Sequence, residues 1–142
     1  MRASDPQVAH LKRILRERGL KTTVARVACL RHLMERNAPT SHGELVDALG
    51  DLGVDRVTVY RNLNDLVDVG LVTRTDIGDR VWRFEVVSRG RNGRHAHFVC
   101  SSCGSISCLW DVDVKAKPTP GVTRALERAI DVSIRGRCDR CL

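Results

Sequence analysis

Residues 95–108, HAHFVCSSCGSISC, hold two imidazoles and three thiols within fourteen positions. Cys100 and Cys103 form one CxxC, and Cys138 and Cys141 form another. A CxxCG turn directs two thiolates and nearby amides at one point. Two such turns complete a tetrahedral four-sulfur shell that closes a zinc ion off from chemistry. The 34 residues between the motifs exceed a simple zinc-ribbon spacing but leave room for a hairpin, a helix and a returning strand. A structural zinc on Cys100, Cys103, Cys138 and Cys141 is therefore expected. The rival, a redox-active CxxC, is weakened because neither motif opens a helix within a βαβ pattern.

His95, His97 and Cys108 remain. In an extended strand residues i and i+2 face the same side, so the two imidazoles project together and Cys100 projects oppositely. If the CSSCG turn folds the next strand back, Cys108 lands near His97, and Glu85, on a preceding strand, can reach the same point across a hinge. Such a shell couples metal occupancy to domain orientation, the requirement for a metal switch. The bland alternatives are unligated surface histidines and a Cys108 that simply packs as an apolar residue. Cys29, mid-helix with no histidine near it in sequence, reads as core. A Glu/His/His/Cys shell is tetrahedral and of mixed softness, which favours zinc over manganese, with ferrous iron the alternative. A zinc deaminase would need a glutamate two residues after its histidine and a proline before its CxxC. Neither is present, and four ligands leave no open position for water, so no enzymatic activity and no small-molecule substrate are expected.

The elements that must position these groups follow from the rest of the chain. From Pro6 to about Leu71 the pattern is helical. Val8, Leu11, Ile14 and Leu15 share one face, and Gly19 ends that helix. Thr23 can cap a second helix. Ser41 with Glu44 makes a capping box for a third, with Gly50 as its stop. A fourth, from about Asp55 to Val69, buries Val59, Leu63 and Leu66. Two β-rich runs then flank IGDR as a hairpin. This order is that of a winged helix-turn-helix, with an unrelated helical bundle as the alternative. The polar, basic stretch 88–94 reads as a hinge. Beyond it lie a strand through His97 and Val99, a strand from about Ile106 to Trp110, a helix from Val122 to Ala129 and a strand from Asp131 to Arg135. The fold class is thus α+β: a winged-helix domain over 1–87, a hinge over 88–94 and a small α/β metal-binding domain over 95–142.

The net charge is +7, and residues 1–36 carry nine Lys/Arg against three Asp/Glu, which points to a polyanionic partner, nucleic acid first and an acidic membrane surface second. No apolar run spans a bilayer and no export signal stands at the N-terminus, which implies a cytoplasmic chain with reduced thiols and no membrane partner.

These residues resemble the ferric uptake regulator family of bacterial metal-dependent repressors. GLKTTVAR (19–26) is similar to the family's GLRxTxxR, with Val24 where proline is usual. VTVYRNLNDLVDVGLV (57–72) is similar to its TVYRxLxxLxxxGLV recognition helix, HAHFVCSSCG to HxHxxCxxCG, and GRCDRC to GxCxxC. The resemblance implies a homodimer, a C-terminal dimerisation domain and binding to a palindromic double-stranded DNA operator when the sensing metal is present. It implies base or phosphate contacts by Tyr60 and Arg61 with Thr58 nearby, a minor-groove contact by Lys21 and a backbone contact by Arg26. Glu85, His95 and His97 match family ligand positions, whereas Cys108 stands where a carboxylate is usual. Ala38 stands where many iron and peroxide sensors place a histidine, and His42 is a substitute out of register. A zinc uptake repressor is the leading reading, with an iron- or peroxide-responsive repressor of the same family, or a constitutive DNA-binding protein with one structural zinc, as the alternatives.

Overall fold

The computed structural model describes residues 5–36, 38–87, 95–112, 115, 117–127 and 132–142. The chain forms two units, Met1–Val87 and Ser88–Leu142. The hinge expected at 88–94 lies outside the described residues.

In the first unit α1 spans Pro6–Glu17, with Asp5 as its cap and Pro6 in its first turn, and it buries Val8, Leu11 and Leu15. Gly19 then takes a φ of 74°, in the left-handed region that favours glycine. Helix α2 spans Val24–Glu35, and Thr23 Oγ1 accepts from the Arg26 amide at 3.2 Å. Its Val27, Leu30 and Leu33 join the same core. Helix α3, His42–Ala48, opens on the expected capping box between Ser41 and Glu44.

Helix α3 ends just ahead of Gly50, as expected, with Leu49 as its C-cap. Leu49 is 5% exposed, a 3-10 turn over Gly50–Leu52 follows, and the left-handed reversal falls on Gly53 at φ 66°. Helix α4 spans Arg56–Asp68 with Asp55 as its cap, and Val59, Leu63 and Leu66 form a fully buried stripe at i, i+4 and i+7. Burial of each such leucine contributes roughly 1.5–3 kcal/mol.

Strands β2 (Val72–Asp76) and β3 (Trp82–Val86) form the expected antiparallel hairpin. A further strand, β1 (Thr40–Ser41), pairs with β3 and sets Thr40 opposite Phe84. The sheet order is β1-β3-β2. Two residues are too short for period-2 alternation to reveal, which is why β1 has no sequence signal.

In the second unit β4 (Ala96–Cys100) is central, with β5 (Ile106–Leu109) antiparallel on one side and β6 (Val132–Gly136) parallel on the other. The parallel pairing needs a crossover, which contains α5 (Thr123–Glu127). The helix begins one residue later than expected; the ends expected at Ala129 and Asp131 lie outside the described residues. Gly136 lies opposite Cys100, and a β-carbon there would come within 3.3 Å of the Phe98 ring. Its register leaves Cys138 two residues beyond Cys100, which brings the distant CxxC to the first. Among the described residues, no helix is long and apolar enough to cross a membrane.

Candidate metal centres and nucleic-acid face

The Sγ atoms of Cys100, Cys103, Cys138 and Cys141 all lie within 4.8 Å of one another. Cys103 Sγ and Cys138 Sγ are 3.8 Å apart. A tetrahedron with metal–sulfur bonds of about 2.3 Å has an edge of about 3.8 Å. The turn after β4 is held by the Gly104 amide on the Cys100 carbonyl, and Gly104 takes a φ of 73°. The amides of Cys103 and Cys138 both point at Cys100 Sγ, at 3.5 and 3.3 Å, and these two donors bring the Cys100 thiol down to about 5. Cys141 is pushed up to about 12 by the neighbouring sulfurs of Cys138, Cys103 and Cys100. Four sulfurs this close do not all ionise unless a cation sits among them. The shell therefore fits one tetrahedral metal ion, with all four positions taken by protein.

The second cluster is on the other face of β4. His97 stands directly opposite Cys108 across the β4–β5 pair, and His95 is two residues back on the same side. One ligand atom from each of His95, His97 and Cys108 lies within 4.8 Å of the others. His97 is buried, with 2% exposure, and Cys108 is half-buried. Because Cys100 faces the other way, the two clusters do not compete for ligands. Glu85 lies in the first unit, buried on β3 opposite Thr73. Cys29 is fully buried in α2, and burial pushes its thiol up to about 12, as a core residue requires.

The exposed face of α4 carries the groups expected to meet nucleic acid. Tyr60 is 51% exposed, Arg61 is exposed and Thr58 half-buried. Val57 and Tyr60, three residues apart, form an apolar strip that the core does not use. Lys21 is exposed on the turn before α2. Arg26, expected as a backbone contact, is also engaged within the first unit. Its guanidinium pairs with Asp65 on α4 and donates to the Lys21 carbonyl at 2.9 Å, and its side chain is 13% exposed. That engagement fixes the Lys21 turn to α4.

The model of the ferric uptake regulator family matches residues 17–124. The chain belongs to the ferric uptake regulator family. Members of this family are metal-responsive transcription regulators, not enzymes. The chain is 35% identical to ferric uptake regulation protein 1 of Mycolicibacterium fortuitum over 120 residues, which cover 84% of this chain and 71% of that protein. It is 34% identical to the ferric uptake regulation protein of Campylobacter jejuni over 106 residues, covering 72% of this chain but only 66% of the relative. The crystal structure of the Vibrio cholerae ferric uptake regulator, which shows rearranged DNA-binding domains, superposes with a TM-score of 0.64 at 25% identity, covering 89% of this chain and 98% of that one.

Two residues of this family member bear on its sites without having been singled out from sequence for what they do. Trp110 stacks on His95, with ring centroids 3.9 Å apart and planes at 27°, and this fixes the plane of that imidazole. A tryptophan just after a strand gives no sequence signal for that contact. His42, the out-of-register substitute ligand, has its Nε2 2.9 Å from the Arg56 carbonyl and meets the Tyr60 ring edge-on at 5.6 Å. It buttresses the start of α4, and the metal-ligand clusters do not include it.

Proposed function

We propose that this chain is a zinc-responsive repressor that binds a palindromic double-stranded DNA operator as a homodimer. The observation that carries this reading is His97 opposite Cys108, with His95 alongside. Cys100, Cys103, Cys138 and Cys141 hold the structural zinc. His95, His97 and Cys108 hold the sensing ion, and Glu85 supplies the fourth ligand from the winged-helix unit. A buried carboxylate such as Glu85 favours a cationic or hydrogen-bonding partner. An ion bound there would supply the positive charge that joins these donors. Tying Glu85 to the His95/His97 strand orients the winged-helix unit and sets two α4 helices one DNA turn apart for adjacent half-sites. Without the ion that spacing is populated only part of the time, and affinity falls by the competent fraction.

In the groove, Arg61 bonds base edges or phosphates, Tyr60 contacts thymine methyls and Lys21 enters the minor groove. The basic charge and the reduced thiols suit a cytoplasmic protein.

An iron- or peroxide-responsive repressor is the second reading. It is favoured by the ferric uptake regulation relatives and by the two imidazoles and carboxylate, which also serve ferrous iron. The Cys108 thiolate favours zinc. Metal content separates the two: about two tightly held zinc ions per chain support the first reading, and one zinc with a labile iron supports the second.

A further inference from the structure

The face of the β4–β5 pair that carries His97 and Cys108 has a second cross-strand pair beside them. In this antiparallel register Ala96 meets Leu109 and His97 meets Cys108, so the next step outward sets His95 against Trp110. The indole is thus on the same face as Cys108, two residues earlier. It stacks on the His95 imidazole, with centroids 3.9 Å apart and planes at 27°. The His97 ring meets the same imidazole at a steep angle, with centroids 4.6 Å apart and planes at 62°.

The three clustered donors are not held equally. His97 lies within β4 and is buried, and Cys108 lies within β5. His95 stands one residue ahead of β4 and is half-buried, so the strand ladder ends before it. At a strand end, side-chain rotation is restrained by the groups packed on the ring rather than by the ladder, and ordering a loose side chain on binding costs affinity. Here the half-buried indole of Trp110 supplies that restraint.

The form of the contact suits a ligand. Imidazole binds a metal through a nitrogen lone pair that lies in the ring plane, and a contact on the ring face leaves the in-plane directions open. The indole also sets an apolar surface beside the cluster, and such a surround governs water access to a metal site. Apolar cover for a strand end would be served as well by a branched aliphatic side chain and needs no near-parallel ring.

We infer that Trp110 is a positioning residue for the second metal site: its stack on His95 presets that imidazole and sets how tightly the site holds zinc. The inference rests on the reading of His95, His97 and Cys108 as the sensing ligands. Trp110 acts through His95 rather than as a ligand.

The test uses the full chain with its structural zinc in place. A chromophoric chelator competes for the second zinc ion in the wild type, Trp110→Ala, Trp110→Phe and His97→Ala. Trp110→Ala should hold the second ion roughly tenfold more weakly, the low end of what losing a ligand's supporting partner costs, and should keep its structural zinc. Trp110→Phe retains a ring face and should recover to within about threefold of the wild type. Trp82 is the other tryptophan, so the emission of a Trp82→Phe chain belongs to Trp110 and should change as the second ion binds. Anisotropy of a duplex that the zinc-loaded wild type selects from a random pool should show half-maximal binding by Trp110→Ala at a zinc concentration raised by the same factor. Wild-type affinity for the second ion in Trp110→Ala would overturn the inference, as would loss of its structural zinc, a Trp110→Phe chain no tighter than Trp110→Ala, or a Trp110 emission that ignores the second ion. If His97→Ala also holds a second ion at wild-type strength, the sensing-site reading fails and this inference falls with it.

Discussion

His97 and Cys108 are direct partners across the antiparallel β4–β5 pair, so imidazole and thiol leave the sheet on the same face. The tight turn at Cys100–Gly104 imposes that register, and the same turn aims Cys100 and Cys103 at the sulfur cluster. One turn thus serves both clusters: its geometry builds the closed shell, and the strand pairing it sets builds the second. The four-sulfur cluster is therefore a precondition for the proposed sensing site.

Cys138→Ser should abolish that precondition. Removing one ligand from the four-sulfur shell forfeits much of a binding free energy that is about 10–16 kcal/mol for structural zinc in small domains. The buried core of the second unit is small, with Ala96, Val99 and Cys100 among its members, and it has little to offset such a loss. Circular dichroism and zinc content should show a second unit that is unfolded and zinc-free while the helices of Met1–Val87 persist. A zinc-free chain with the full wild-type spectrum would contradict this.

Arg26 and Asp65 should behave as one structural unit. Either Arg26→Ala or Asp65→Ala should lower the melting temperature by a few degrees, and the double variant should melt little lower than the worse single one. The effect is modest because the Asp65 side chain is 42% exposed. Lys21→Ala, by contrast, should weaken DNA binding with no change in melting. Thermal scans and anisotropy on the same samples distinguish these outcomes.

Cys29 gives the chain an alkaline weakness. Its folded thiol is pushed up to about 12 by burial, while an unfolded thiol ionises near its ordinary value of about 8.5. Between these values the folded state holds a proton that the unfolded state has lost, so stability falls as pH rises through that window. Urea unfolding of Cys29→Ala and wild-type chains from pH 7 to pH 10 should show the wild type losing more stability with rising pH. In the folded protein at pH 7, Cys29 should not react with an alkylating reagent until the chain unfolds.

Much of this was legible in the sequence because it rests on local rules. Thr23, Ser41–Glu44 and Asp55 announce helix starts through the amides they cap, and these starts fall where expected. The four-cysteine cluster is encoded in two short spacings, and the His97–Cys108 pairing in one tight turn between alternating strands. What escaped depends on contacts distant in sequence or on strands too short to have a period. The β1–β3 pairing of Thr40 with Phe84 is of this kind, as is the internal engagement of Arg26 by Asp65, thirty-nine residues away. The packing of α2 on α4, which no local motif encodes, is what brings the Arg26 guanidinium to Asp65.

The central claim, that an ion on His95, His97 and Cys108 controls DNA binding, is tested most directly by one titration. Anisotropy of the selected duplex is followed with wild-type and His97→Ala chains as zinc, ferrous iron and manganese are added separately, each chain carrying its structural zinc. The expected result is tight binding by the wild type with zinc at the lowest concentration, and no metal-induced gain for a His97→Ala chain that remains folded and dimeric. A His97→Ala chain that binds the duplex with the wild-type zinc response would contradict the claim.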